Sequence, residues 1–294
     1  MQKRFLSTLH IKLLLTAIFW GGTFIAGRIV GRNVTPASAA FLRFAIASIF
    51  FILMLWRTNG RLPAIKNNHI IPLILLGMTG IFTYNIFFFK GLTLIHAGRA
   101  SLIIANNPVF ITLLSAYFFK EKLNLVKICG VLISVTGAII VISRGNFNEI
   151  LNGGIGWGEF YILFCVGSWV TYSLIGKSIM KSLSPLIAVS YSSMIGTIAL
   201  FMPAYFEGIT KNLMYYPLDA WLAIFYLGFF GTVLGFFWYY EGIKAVGPMK
   251  ASQFINFVPI SAIIIAFFVL GEPITLSLAI GAILVISGVY LTNR

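Results

Sequence analysis

Residues 99–123 read RASLIIANNPVFITLLSAYFFKEKL. From Ala100 to Phe119 the run is apolar and uncharged, with Pro108 near its middle and Asn106 and Asn107 just before it. About 20 residues at ~1.5 Å rise cover the ~30 Å hydrocarbon core of a bilayer, so this stretch predicts a membrane-crossing helix. Residues 250–274, KASQFINFVPISAIIIAFFVLGEPI, repeat it. At a constant offset of 151, Arg99 pairs with Lys250, Ala100 with Ala251, Ser101 with Ser252, Pro108 with Pro259 and Glu121 with Glu272. The register continues without a gap through Gly77/Gly228, Gly80/Gly231, Gly91/Gly242, Gly130/Gly281 and Gly137/Gly288. Composition alone does not produce such a register, so it marks an internal repeat.

The composition agrees with a lipid solvent. Of 294 residues, 59% are hydrophobic and only 10% charged, and the mean hydropathy is +0.96. That is too little charge for a water-facing surface on a protein of this size. The net charge of +14 does not gather into a basic domain. The cations lie between apolar runs, where the excess of Lys and Arg on cytoplasmic loops explains them better than nucleic acid does. Cys129 and Cys165 sit inside apolar runs and give neither a disulfide framework nor a metal spacing. Lys3, Arg4 and Lys12 before the first apolar run resemble a signal peptide, but no clear small-residue cleavage site follows, so a retained helix is expected. H-E-x-x-H, G-x-S-x-G and P-loop patterns are absent. His10, His69 and His96 are scattered, and the seven acids form no reactive cluster. The expectation is therefore no catalytic residue, no cofactor and no metal.

Ten spans are predicted, at roughly 11–31, 36–56, 70–90, 98–119, 125–143, 156–177, 185–206, 219–240, 248–270 and 274–292. An even number puts both termini on one side. If that side is cytoplasmic, fourteen cations lie inside and six outside (Arg28, Arg32, Lys90, Arg99, Arg144 and Lys211), with Arg43 left within span 2. The positive-inside rule favours this orientation. Each half, 1–146 and 147–294, holds an odd number of spans, so the second copy enters from the opposite side. The first two spans agree weakly at an offset of 149, through Trp20/Trp169, Gly27/Gly176, Arg28/Lys177 and Pro36/Pro185. The fold class expected is all-α and integral to the membrane, with ten helices in two inverted five-helix repeats. Inverted repeats are an architecture of alternating-access transporters.

At this point the chain resembles the drug/metabolite transporter superfamily, in its EamA-type ten-span branch. The likeness is carried by FWGGTFIAGR in span 1, FLRF in span 2, the Pro108 and Pro259 helices, the ends FFKEKL and LGEPIT, and GWGEFYILFCVGSWVTYSLIGK in span 6. The resemblance implies an exporter of amino acids or related small molecules in the bacterial inner membrane, with a central cavity between the halves. A non-transporting membrane scaffold and an intramembrane enzyme are the other classes considered.

Particular residues carry two readings each. Pro108 and Pro259 remove a backbone donor at mid-membrane, which makes a packing kink or a hinge that widens a cavity. Asn106, Asn107, Gln253 and Asn256 flank these kinks and should face protein or cavity, as interhelical glue or as substrate ligands. Asn106 and Asn107 point about 100° apart, so both should not line one cavity. Trp20, Thr23, Tyr84, Asn85, Trp169 and Tyr172 are candidates for the cavity wall. Arg43 reads either as a carboxylate anchor or as a structural pair with a helix end. Glu159 reads either as a first-turn acid that complements the helix dipole or as a protonatable coupling site. Glu121 and Glu272 are expected to pair with cations or to cap a neighbouring helix.

Overall fold

The computed structural model describes residues 2–119, 124–143, 156–247, 251 and 253–292. Among them all regular structure is helical. The chain begins with α1 (Gln2–Val30) and α2 (Pro36–Asn59). Next come α3 (Asn67–Leu76) and α4 (Tyr84–Leu94), joined by a π-helical stretch, Gly77–Thr83. α5 (Ala97–Ile104), α6 (Asn107–Phe119), α7 (Leu125–Ile142), α8 (Trp157–Ile179) and α9 (Pro185–Phe206) follow. A second π-helical stretch, Phe229–Leu234, joins α10 (Leu218–Gly228) to α11 (Gly235–Val246). A 3-10 turn, Gln253–Asn256, leads into α12 (Phe257–Leu270), and α13 (Leu276–Thr292) completes the order. Eight helical stretches, from Thr8–Val30 to Leu218–Val246, are long and apolar enough to cross a membrane. The apolar helices Phe254–Leu270 and Leu276–Leu291 are shorter. The outward faces carry large apolar side chains such as Ile198, Leu222, Phe268 and Ile283, as contact with lipid requires. Glu121, Lys250, Ser252 and the boundary between residues 146 and 147 lie outside the described residues.

Local chemistry explains where the helices break. Pro108 has no N–H, and the chain makes a turn at Ala105–Asn106 before α6 starts at Asn107. Asn106 compensates there: its Nδ2 donates to the Leu102 carbonyl at 3.1 Å and to the Ile103 carbonyl at 3.3 Å. The 3-10 turn Gln253–Asn256 lies in the corresponding region and ends three residues before Pro259. Both proline segments are therefore interrupted helices, where the sequence reading expects spans that are kinked at the proline. The two π stretches begin within one residue of the 151-residue offset, at Gly77 and Phe229.

Acids, Glu272 buried and Glu207 half-buried, tie the helix ends. Glu272 accepts from the Ala97 and Gly98 amides, at 3.0 and 3.2 Å, and so caps the start of α5. Arg28 Nε lies 3.6 Å from the same carboxylate, and Arg28 Nη1 donates to the last carbonyls of α4, those of Leu92 and Ile95, both at 3.0 Å. Each charge thus meets the helix end of opposite sign. Glu207 caps α2 in the same way through the Ser38 amide at 2.9 Å.

Small residues set the closest helix contacts. α7 and α13 meet along Gly130, Ser134, Gly137, Gly281 and Gly288. Contacts around the centre are reciprocal between the halves. Gly80 faces the Tyr172 ring and Gly231 faces the Thr23 side chain, where Thr23 and Tyr172 are 149 apart. Gly77 faces Ser192 and Ile195, and Gly228 faces Arg43 and Ile46, which are again 149 apart.

Candidate functional site

The two π stretches converge on one cation. Arg43 stands on α2 and is 3% exposed. Its Nη1 donates to Asn85 Oδ1 at 3.0 Å, and its Nε donates to Thr232 Oγ1 at 2.9 Å. Asn85 lies just after the first π stretch and Thr232 lies within the second. Both acceptors are oriented by the widened turns. Asn85 Nδ2 donates to the Ile81 carbonyl at 2.8 Å, which turns Oδ1 toward the arginine. The Thr232 hydroxyl donates to the Leu227 carbonyl at 2.9 Å, which leaves its lone pairs for Nε. π-helical turns recur at functional sites because they displace side chains from the α register. Here they let one residue from each half hold the same guanidinium.

Above this clamp is a central cavity lined by Trp20, Thr23, Phe24, Arg43, Tyr84, Phe88, Ile104, Asn107, Trp169, Phe236, Ile255 and Val258. The lining comes from α1, α2, α4, α5, α6, α8, α11, α12 and the short turn before α12. Its volume is about 40 Å³. That admits a few water molecules and falls well below the ~300–1,000 Å³ of small-molecule pockets. The aromatic wall is tightly meshed: Trp20 meets Trp169 edge-on at 5.4 Å, Tyr84 lies 5.5 Å from Trp169, and Phe236 lies 5.3 Å from Trp169. Two hydrogen donors of this wall are already used. Trp20 Nε1 donates to the Gly231 carbonyl at 2.9 Å, and Thr23 Oγ1 donates to the Trp20 carbonyl at 2.6 Å.

The sequence candidates separate clearly. Trp20, Thr23, Tyr84, Trp169, Asn107 and Arg43 share the cavity wall. Asn85 is fully buried and reaches the cavity through Arg43. Tyr172 lies beside Trp169, at 5.3 Å, and packs against Gly80. Of the two adjacent amides, Asn107 faces the cavity with no partner on its Oδ1. Asn106 faces α7, where its Oδ1 accepts from Ser134 Oγ at 2.8 Å. The structure gives Asn106 the role of interhelical glue.

Asn256 does not reach the central cavity. It lines a separate groove with Phe254, Phe257, Ile260, Ile286 and Tyr290, between α12 and α13, because the 3-10 turn rotates it away from Ile255 and Val258. The side chain of Gln253 lies outside the described residues. Pro108 and Pro259 mark the breaks beside the cavity-lining Asn107 and Val258. Glu159 sits in the first turn of α8 and forms an ion pair with Arg99 at 2.8 Å. Arg99 also donates to the Ile142 carbonyl at the end of α7.

Sequence reading did not single out Thr232, Phe88, Phe236 or Arg99 as the Glu159 partner. Thr232 directly follows Gly231, a repeat glycine, and that position is the one signal that pointed to it.

Comparison with known proteins agrees with this architecture. The model of the EamA-like transporter family matches residues 8–143 and again residues 156–294. A relative from Bacillus subtilis (strain 168), named uncharacterized transporter YyaM, is 32% identical over 96% of this chain and 92% of its own length. A protein from Streptantibioticus cattleyicolor, named a probable terminal-alkyne amino-acid exporter, is 27% identical over 96% of this chain and 92% of its own. A solved crystal structure, 18% identical, superposes with a TM-score of 0.70 over 97% of this chain and 98% of that one, and shares the fold. These relatives are named as transporters and not as enzymes. The chain is a multi-pass membrane protein of the drug/metabolite transporter superfamily and belongs to its EamA-like transporter family.

Proposed function

We propose that the protein is a secondary carrier that exports small polar metabolites, amino acids or related compounds, across a bacterial inner membrane by alternating access. Ten spans form two inverted five-helix repeats, 1–146 and 147–294, and the cavity between them is the substrate site. The observation that carries this reading is the reciprocal packing around the cavity. Gly80 on Tyr172 mirrors Gly231 on Thr23, and Gly77 on Ser192 mirrors Gly228 on Arg43. Each π stretch has a counterpart in the other half. Two halves with equivalent contacts can exchange conformations and so present one site to either side. At about 40 Å³ the cavity must widen to take an amino acid, and its wall then suits an amphipathic solute, with rings for the apolar part and Asn107 and Arg43 for the polar part. The relative named as a probable amino-acid exporter accords with that class.

The test is solute efflux from proteoliposomes loaded with the twenty amino acids, read by mass spectrometry. Removing one ligand amide is worth a net ~1 kcal/mol, or roughly five-fold at sub-saturating solute. Asn107→Ala is therefore expected to slow efflux about five-fold, whereas Asn256→Ala leaves it unchanged. Equal efflux from the parent and Asn107→Ala would move the site elsewhere. No efflux of any solute under any ion gradient would leave a non-transporting scaffold.

Orientation has its own check. Both termini are expected in the cytoplasm, from the fourteen-to-six cation split. Single cysteines at Asn59 and Asn146, in a background lacking the exposed Cys129, should label from opposite sides of the membrane. Labelling from one side would refute the inverted arrangement.

A further inference from the structure

We infer that the Arg43 guanidinium is the binding site for a carboxylate of the transported solute, and that the cavity selects this anionic group rather than an ammonium. The inference rests on the carrier reading and deepens it. Arg43 is buried at 3% exposure, and no ion pair among the described residues includes it. The ion pairs among the described residues use Lys12, Arg28, His96 and Arg99 as cations. Among the described residues Arg43 donates to neutral oxygens, those of Asn85 and Thr232. A full charge inside a membrane protein without a counter-charge is strongly unfavourable, and such residues mark substrate paths.

The geometry shows what is missing. Arg43 Nε and Nη1 are occupied, and both acceptors are themselves pinned to π-turn carbonyls. Among the described residues the Arg43 hydrogen bonds use Nε and Nη1 and leave Nη2, and the residue forms part of the cavity wall. Trp20 Nε1 and the Thr23 hydroxyl are spent on backbone carbonyls, and the further donors of the wall, on Tyr84, Asn107 and Trp169, are neutral. Arg43 is therefore the one charged donor facing the cavity among the described residues. A carboxylate supplies the missing counter-charge and accepts a charge-assisted hydrogen bond from Nη2, which a neutral amide group cannot match in charge.

Among the described residues no Asp or Glu lines the cavity. An ammonium would meet the Arg43 charge and find only neutral partners, chiefly the unpaired Asn107 Oδ1 and the ring faces. A hydroxyl donor would serve Asn107 equally well. A 2-hydroxy acid should therefore bind about as well as the matching amino acid, and the amino-acid amide should bind poorly.

The experiment uses proteoliposomes of the full chain. The efflux of each amino acid that moves is challenged with its 2-hydroxy acid and with its amide as competitors, with protein-free liposomes as the leak control. The expected result is competition by the hydroxy acid within roughly three-fold of the amino acid itself, because the hydroxyl donates to Asn107 Oδ1 in place of an ammonium whose charge meets no acid in the cavity lining. The amide should be at least roughly 30-fold weaker, the minimum expected when a buried charge loses its partner. Arg43→Gln should erase the preference between acid and amide, and Arg43→Lys should restore part of it. If the amide competes as well as the amino acid in the parent protein, the inference is overturned while the carrier reading stands. If no solute moves, the carrier reading falls first and takes this inference with it. Should Arg43→Gln fail to fold, the parent's own discrimination still decides.

Discussion

Gly288→Ala is expected to open the seam between α7 and α13 and to lower the melting temperature of the purified protein by many degrees. A methyl group on Gly288 would overlap the Ser134 amide nitrogen, lie 2.6 Å from the Gly130 carbonyl oxygen and lie 2.7 Å from Ser134 Cα. All three neighbours are backbone atoms, so no rotamer change relieves the clash. The helices must move apart, and the contacts of Gly137 with Leu284 and Gly281 separate with them. In lipid there is no hydrophobic force to re-seat the pair, since the tails are as apolar as the helix faces. Overpacking of this kind is worth about 1–3 kcal/mol or more. The control is Gly167→Ala on α8, where nothing lies within 4 Å of the added methyl. That change should be neutral or stabilising by up to ~1 kcal/mol, the intrinsic helix preference of Ala over Gly. Equal melting temperatures for the two variants would show that α7 and α13 do not approach as closely as described.

The second large effect concerns Arg99 and Glu159. Their side chains are 9% and 4% exposed and lie 2.8 Å apart, joining the start of α5 to the start of α8. Removing one partner of a buried pair leaves an uncompensated charge and costs about 3–5 kcal/mol. Replacing both with apolar residues of similar volume is often neutral, because the desolvation of two charges is relieved at once. Glu159→Gln and Arg99→Met should therefore each destabilise the protein strongly, and the double Arg99→Met/Glu159→Leu variant should recover most of the loss. A double-mutant cycle on thermal unfolding measures the coupling. Additive losses would mean that the two charges are stabilised separately, Arg99 by the Ile142 carbonyl and Glu159 by the α8 dipole. Transport by the recovered double variant would also dismiss the reading of Glu159 as a protonatable coupling site.

The cation at the cavity and the buried pair at the helix ends differ in one respect that matters for mechanism. Arg99 has its counter-charge within the protein. Arg43 has two neutral acceptors, one beside each π stretch. A carrier whose central charge is completed by its cargo can respond to that cargo, whereas a charge completed by the fold only holds the fold.

The sequence by itself determined the apolar stretches and the glycine register, and it marked Pro108 and Pro259 as kinks and Trp20, Tyr84 and Trp169 as candidates for a cavity wall. These are legible because each depends on local chemistry: the length of apolar chain that lipid accepts, a missing proline N–H, or the room that only glycine leaves. Only the tertiary structure decided that Asn107 faces the cavity while Asn106 bonds to Ser134, that Asn256 turns toward α13, that Arg99 pairs with Glu159, and that Asn85 and Thr232 hold Arg43. Neighbouring residues on a helix point about 100° apart, so the inward face depends on how each helix is rotated against neighbours distant in the chain. The two π stretches and the 3-10 turn shift that rotation partway along a span, and apolar composition, nearly uniform around these helices, does not record the shift.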